Sequence, residues 1–568
     1  MKQLLTLKIN LVVMAAYVVM LMIPELLVLE DLHWWTPYIS VPFNLLVYTV
    51  LSWVCCTLFA MTGRKANAIA HIALHALVAC YVLSDIFLYV FFCRHWDVYT
   101  VQFLRETNGR EASEFVNNFV FSFRTLLMVV LAAGFFGLEW WLSRKVKLIS
   151  AWPKRWMFRI AWSACLAMVA VHAAYFSPNV DRNYKFAQKY PSPIKFNDLW
   201  QTMQSILMYK QQEQDYERCA TSLANYKEHP VCRDSTADFV LIIGESFNRH
   251  MSNLYDGRWN TNPRLKARQK QGRLFLFDDV TATSNGTSVV FRYLLSMNSR
   301  RDRKAWHDGP MLPLIMRRCG WNVTFYGNQF VVSDQLDEND AAMGFLNIPS
   351  VAKALFDNRN HCTSRYDLGL VADYAAQRKQ LETKQRNFVI FHLYGQHMPA
   401  KERYPKKFAK FTPNNINRPE LNNAQRNDVA HYLNATLYND MVVDSIIRMF
   451  DNRNAVVMYL SDHGEEVHNF RNQYGRTDIN KACRESYGPQ FDIPFMIYLT
   501  PKYAKEHPEL AARLKAARQR RFSNDDTPQV ICDILCVQSA YVRKQHSLIN
   551  DSYIAPLHRL ITKDKYYD

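Results

Sequence analysis

The apolar residues of this chain crowd into its first third, and no other sequence feature limits the fold as strongly. A bilayer core takes about 20 mostly apolar residues per crossing helix. Five stretches qualify: Ile9–Leu29, Val41–Met61, Ile69–Phe92, Val120–Leu142 and Trp156–Tyr175. The first is not a cleavable leader, because it runs into "PELLVLED" without a small-x-small cleavage site. Lys2 and Lys8 precede the first stretch, Arg64 and Lys65 follow the second, and Arg144, Lys145, Lys147, Lys154 and Arg155 follow the fourth. With five spans these loops share one side, which the positive-inside rule makes cytoplasmic. Everything after Tyr175 is then expected outside the cytoplasm.

This distribution also decides what the charge means. The 568 residues carry a formal net charge of +17. A basic total suits nucleic acid or an anionic membrane surface. The Lys and Arg residues are spread rather than gathered on one motif, and nucleic acid does not explain the apolar stretches, so no nucleic-acid partner is expected. Trp and Tyr near the span ends read as interfacial anchors. His71 and His75, four apart on one face of the third stretch, read as interhelical hydrogen-bonding groups. Between the third and fourth stretches, "WDVYTVQFLRETNGREASEFVNN" is too polar to insert and is expected to lie on the outer leaflet.

Of the 12 cysteines, five lie in the apolar third, and Cys219, Cys232, Cys319, Cys362, Cys483, Cys532 and Cys536 lie beyond it. An oxidising compartment favours pairing. Cys219–Cys232 is the first expectation, because one short polar segment separates them, and Cys319–Cys362 the second. The regions read as a five-helix transmembrane domain over 1–176, a partly helical connection over 177–237, and an α/β domain over 238–568. In the last, "DFVLIIG", "RLFLFDDV", "WNVTFYG", "RNFVIFHLYG", "NAVVMYLSDHG" and "DIPFMIYLTP" alternate with amphipathic segments. Continuous apolar strands between helices predict a parallel or mixed sheet covered on both faces, with ligands beyond the strands' carboxyl ends.

Three strand ends carry candidate ligands. "DFVLIIGES" delivers Glu245, "YLSDHGEE" delivers Asp462 and His463, and "FHLYGQHMP" delivers His397. Singly, each reads as a turn or cap residue, and His392, inside its strand, as a core histidine. Together, two carboxylates and an imidazole suit zinc (Zn2+), which takes O and N ligands and keeps an open position in catalytic sites. After the second strand, "TSNGTSVVFRYLLSM" puts Ser284, Thr287 and Ser288 near a helix N-terminus, where free backbone N–H groups hold phosphoryl oxygens. A metal there would lower the pKa of a hydroxyl and make it a nucleophile. Spacing does not choose among the three hydroxyls, and helix capping is the competing reading.

The segments "LIIGESFNRHMSNLYDGRWNTNP", "TSNGTSVVFRYLLS", "GQHMPAKERYPKKF", "LSDHGEE" and "SNDDTPQVICDIL" together resemble the phosphoethanolamine transferases of Gram-negative bacteria, within the alkaline phosphatase and sulfatase superfamily. The resemblance covers nearly the whole chain and implies an alkaline-phosphatase-like α/β/α catalytic domain on the periplasmic side of the bacterial inner membrane. It implies Glu245, Asp462 and His463, with Thr287, around one zinc. In this family the nucleophile is a threonine nine residues before the hydroxyl ending the next L-[ST] segment; counted back from Ser296, this is Thr287. His397 matches the histidine that contacts the phosphoryl group or a second zinc, and Asn328 and Gln329 resemble phosphoryl-contacting amides. The cysteine pair that brackets the nucleophile in colistin-resistance members is replaced by Asn285 and Phe291, and Val290 stands where many have serine. The family's later histidine falls beyond His468, which leaves a second zinc and a substrate contact by His468 open.

What the resemblance implies is a two-displacement transfer. Phosphoethanolamine passes from phosphatidylethanolamine to Thr287, and then to lipid A or the lipopolysaccharide core, on a monomeric membrane protein. A phosphoglycerol transferase would use the same chemistry. A catalytically dead sensor should have lost Thr287 or a ligand, and none is missing. A sulfatase proper is excluded, because no Cys/Ser-x-Pro-x-Arg follows the second strand.

Overall fold

In the computed structural model the chain divides into two compact units, Met1–Gln211 and Gln212–Asp568. The structure describes residues 8–27, 36–92, 95–96, 100, 104, 107, 109–145, 149–151, 163, 214–234, 238–329, 344–470, 474–476, 484–562 and 565–568.

The first unit contains four long helices among its described residues: α1 (Leu11–Leu27), α2 (Thr36–Ala60), α3 (Arg64–Phe92) and α4 (Phe123–Lys145). Among the described residues, α3 and α4 are long and apolar enough to cross a membrane by length and composition. The expected five spans are therefore not confirmed. α1 has 17 residues with Pro24 inside it, about 26 Å of helix against a hydrocarbon core of about 30 Å. α2 has 25 residues with Pro42 inside it, and its stretch Asn44–Ala60 is apolar. The fifth stretch, Trp156–Tyr175, lies outside the described residues. α4 buries none of its residues against protein, and a helix apolar all round suits lipid. In the polar segment between α3 and α4, a helix over Gly109–Phe115 widens into a π turn, Val116–Val120.

His71 and His75 do serve interhelical bonding. The Tyr17 hydroxyl on α1 lies 3.1 Å from His71 Nδ1 and 2.7 Å from His75 Nδ1, and His75 Nε2 lies 3.0 Å from Glu139 on α4. Tyr17→Phe is expected to cost the full chain about 0.6 kcal/mol, and at most about 1.7, the range for such bonds in membrane bundles. Unfolding in detergent micelles measures it; unchanged stability would remove the network's structural role.

The second unit is built on a seven-stranded sheet. Its strands are β1 (Asp238–Gly244), β2 (Leu274–Phe277), β3 (Asn322–Gly327), β4 (Asn358–Arg359), β5 (Asn387–His392), β6 (Ala455–Ser461) and β7 (Phe495–Leu499), in the order β2-β7-β6-β1-β5-β3-β4. β7 runs antiparallel to both neighbours and the other pairings are parallel. Every residue of β1, β3, β5 and β6 is buried, as expected for parallel strands covered on both faces. Three helices matter below: α5 (Thr287–Leu294), α6 (Asp367–Leu381) and α7 (Asn423–Phe450). α7 starts at an Asn422/Gln425 capping box and buries Val429, Leu433, Val442 and Ile446 in the sheet's main core cluster.

Neither expected disulfide forms: Cys219, Cys232, Cys319 and Cys362 are free thiols. Strand Val231–Cys232 pairs with Val537–Gln538 near the chain's end, where Cys232 Sγ donates to Leu535 O at 3.2 Å. Cys219 is buried within a helix over 214–224. Cys319 donates to Pro230 O at 3.5 Å while Cys362 is exposed. Closeness in sequence misled because Cys232 belongs to a long-range strand pair.

Candidate active site

The register of the central strands decides what meets at their ends. Ser461 of β6 is opposite Gly244 of β1, Ile243 of β1 is opposite His392 of β5, and His392 is opposite Gly327 of β3. Four parallel strands thus stop on one line, and the next residues, Glu245, Asp462 and the 393–397 turn, leave the sheet together. Gln396 N donates to Glu245 O at 3.0 Å, so the turn carrying His397 hangs on the Glu245 backbone. Gly395 is required there: its φ is +51°, and a Cβ would lie 2.7 Å from Glu245 O.

Glu245, Asp462 and His463 each offer one ligand atom, all within 4.8 Å of one another. His463 Nε2 lies 3.3 Å from Glu245 Oε1 and 3.1 Å from Asp462 Oδ2. His463 Nδ1 faces Gly464 O at 2.7 Å. A carbonyl only accepts, so the ring's N–H sits on Nδ1 and Nε2 presents a lone pair. The three atoms that face one another are therefore all acceptors. Asp462 Oδ1 takes N–H groups from Ser246 (3.1 Å) and His463 (2.7 Å), while the buried Oδ2 accepts no hydrogen bond among the described residues.

The electrostatics agree. Burial, and then the charge of Glu245, push the Asp462 carboxyl well above its usual range. Burial and the Arg476 charge push His463 down and keep it neutral. Two buried carboxylates and an imidazole lone pair, with one carboxylate oxygen unused, fit a divalent cation of the zinc type. The His463–Gly464 bond is the kind of outer contact that fixes a ligand's tautomer.

Thr287 supplies the hydroxyl. Gly286, not Thr287, is the N-cap of α5, and Thr287 stands at the first helical position without capping. Its Oγ1 donates to Glu245 Oε2 at 3.1 Å and lies 3.2 Å from His463 Nε2. Thr287 is half-buried while the three donor residues are fully enclosed. Ser284 Oγ instead accepts from Gly286 N at 3.4 Å, and Ser288 turns into the buried face of α5.

The remaining sequence candidates divide. His397 is buried, and its Nδ1 faces Met398 O at 2.8 Å, so this ring also presents an Nε2 lone pair. Burial pushes it down to about 3, so it is neutral near pH 7. Tyr394 stacks on it at 5.3 Å, with Arg403 over the far ring. His392, expected as a plain core histidine, lies 3.8 Å behind Glu245 Oε2 with Phe291 edge-on at 4.5 Å. Asn328 is committed elsewhere: its side chain donates to Asp367 of α6 at 2.8 Å and accepts Ser364 N at 2.7 Å. Gln329 Nε2 is buried with no hydrogen-bond partner among the described residues. His468 is held 3.0 Å from Asp428 at the start of α7, outside the donor cluster.

Sequence reading missed three supports. Ser246, at φ +58°, donates its hydroxyl to Glu245 Oε1 at 2.7 Å, and such backbone strain gathers at functional sites. Glu465, pushed up to about 7 by burial, lines the same wall. Asn524 bridges the β6 end and the turn before α5, donating to Asp462 O at 3.0 Å and accepting Thr283 N at 2.9 Å; "SNDD" was its available signal. Asn524→Ala is expected to cost about 1–3 kcal/mol by orphaning buried groups and to weaken zinc binding about 10-fold or more by loosening Asp462. Thermal unfolding and chelator competition measure the two; wild-type zinc affinity would show that the bridge does not position the ligand.

A family model described as Sulfatase matches residues 237–533, just over half of the chain. The phosphoethanolamine transferase EptC of Escherichia coli strain K12 is 25% identical over 439 residues, 75% of this chain and 73% of that protein. The crystal structure of the C-terminal periplasmic domain of the E. coli EptC superposes with a TM-score of 0.51 at 25% identity, covering 59% of this chain and 91% of that one. The same domain in complex with Zn gives 0.50 at 24% identity, with coverage of 59% and 91%. The integral membrane lipooligosaccharide phosphoethanolamine transferase A (EptA) of Neisseria meningitidis shares the fold over 96% of both chains, with a TM-score of 0.58 at 17% identity. With its ligand atoms at the ends of parallel strands and its match over 237–533, the chain belongs to the sulfatase family, and within that family it resembles the phosphoethanolamine transferases.

Proposed function

We propose that this protein is a zinc-dependent integral membrane phosphoethanolamine transferase. It takes the headgroup of phosphatidylethanolamine onto Thr287 and passes it to lipid A or to a heptose or phosphate of the lipopolysaccharide core. The carrying observation is the Thr287 hydroxyl, 3.1 Å from Glu245 and 3.2 Å from His463 at the start of α5. Glu245, Asp462 and His463, with Thr287, would hold one zinc. The unused Asp462 oxygen supports this, as does the relative crystallised with Zn.

When bound, such an ion acidifies the alcohol and neutralises developing phosphoryl charge. The rest falls to the chain. Thr287 Oγ1 attacks the donor phosphorus, the bond to the diacylglycerol oxygen breaks, and that oxygen leaves with a proton. The acceptor oxygen then attacks the same phosphorus, and Thr287 regains its proton. His397, with its Nδ1–H donated to Met398, offers Nε2 as the proton acceptor. Gln329 Nε2, without a hydrogen-bond partner among the described residues, suits a phosphoryl oxygen, whereas Asn328 and His468 act through Asp367 and Asp428.

The topology completes the reading: spans within 1–176 in a bacterial inner membrane, five by sequence, a connection over 177–237, and a catalytic domain over 238–568 in the periplasm of a monomer. Mass spectrometry of lipid A and core oligosaccharide, from cells with and without the protein, tests it. Phosphoethanolamine on either acceptor only when the protein is present is the expected result. Identical glycolipids with phosphoglycerol elsewhere would overturn it.

A further inference from the structure

A second cation stands in this site already, and it is a side chain. Strand Tyr474–Gly475 pairs with Glu466–Val467, Gly475 opposite Glu466, and this register sets Arg476 beside Glu465 over the site. Arg476 Nη1 lies 2.9 Å from His463 Nε2 and donates to Asn285 O at 3.1 Å; its Nε lies 3.8 Å from Glu465. Asn285 is two residues before Thr287, so one guanidinium touches the imidazole ligand and the nucleophile's turn together.

The Nε2 lone pair serves one partner at a time. In the metal-free protein the Arg476 N–H uses it; a metal ion on His463 needs the same electrons and excludes that contact. The charge balance shows what the displaced guanidinium can do. Glu245 and Asp462 together neutralise a divalent ion, and His397 contributes a lone pair, not a charge. Phosphoryl transfer nevertheless spreads negative charge over three equatorial oxygens.

Resting on the transferase reading, we propose that Arg476 is a catalytic residue: metal loading shifts its guanidinium from His463 onto the non-bridging oxygens of the phosphoryl group, where it supplies the net positive charge that the metal and its carboxylates lack. A planar fork held at Asn285 O suits two such oxygens, as an ammonium does not.

The test uses the full chain in detergent, unaltered and as Arg476→Ala and Arg476→Lys. Zinc affinity is read by chelator competition, inorganic phosphate affinity of the zinc-loaded protein by calorimetry, and headgroup transfer by kcat and KM. Arg476→Ala should bind zinc at least as tightly as the unaltered chain, because a competitor for Nε2 is gone. Its phosphate affinity should fall about 10-fold, one charge-assisted contact. Its kcat should fall about 10²- to 10³-fold, as when a transition-state donor is removed, with KM little changed. Arg476→Lys keeps the charge without the fork; it should fall between the two and decides the matter alone if the alanine variant does not fold. Zinc affinity that drops 10-fold in Arg476→Ala would reduce Arg476 to a support for His463. Phosphate affinity and kcat within about twofold of the unaltered chain would equally overturn the proposal. If the unaltered chain transfers no phosphoethanolamine, the transferase reading alone fails, and the zinc and phosphate arms still decide on Arg476.

Discussion

Thr287→Ala should abolish headgroup transfer, a fall of at least about 10³-fold, the scale seen when an enzyme nucleophile is removed. Zinc content should stay near that of the unaltered chain. Thr287 is at the first turn of α5 with its hydroxyl spent on Glu245 and His463 rather than on capping, which Gly286 performs. Removing that oxygen leaves Glu245, Asp462 and His463 in place and costs the helix little. Ser284 and Ser288 do not substitute, since one accepts from Gly286 N and the other turns into the buried face of α5. Radiolabelled phosphatidylethanolamine, metal analysis and thermal unfolding measure the three quantities; transfer within 10-fold of normal would exclude Thr287 as nucleophile.

Asp462→Asn should lose both zinc and transfer while leaving the metal-free fold as stable as before, or more so. The amide oxygen can keep the bonds that Oδ1 accepts from Ser246 and His463. What disappears is a buried negative charge facing Glu245, which burial and that neighbour make costly without a cation. In the unaltered chain, zinc at 100 times its Kd should add about 2.7 kcal/mol of stability; in Asp462→Asn that increment should vanish. Thermal melts with and without zinc separate the cases. A zinc-induced shift preserved in Asp462→Asn would remove Asp462 from the ligand set.

What the sequence disclosed follows from the same physics. β1, β5 and β6 are covered on both faces, so they read as unbroken apolar runs, and polar residues right after such runs announce a sheet edge. Glu245, Asp462 and His463 were legible for that reason. β4 is two residues long and carries no pattern. The choice among Ser284, Thr287 and Ser288 depends on the phase of α5 relative to β1, which spacing along one segment does not contain. His392 looked like core because it is core, and its nearness to Glu245 comes from β1–β5 register. Arg476 arrives on a hairpin of two-residue strands, too short for periodicity. Of the five apolar stretches, the structure gives α3 and α4 as long and apolar enough to cross a bilayer, and Trp156–Tyr175 lies outside the described residues.

The most direct measurement is a search for the covalent intermediate. Zinc-loaded protein is exposed to phosphatidylethanolamine without acceptor, digested, and analysed by tandem mass spectrometry. The account predicts phosphoethanolamine on Thr287, discharged when lipid A or core oligosaccharide is added, and absent from Asp462→Asn. Transfer that proceeds with no adduct on Thr287, or with the adduct on another residue, would contradict it.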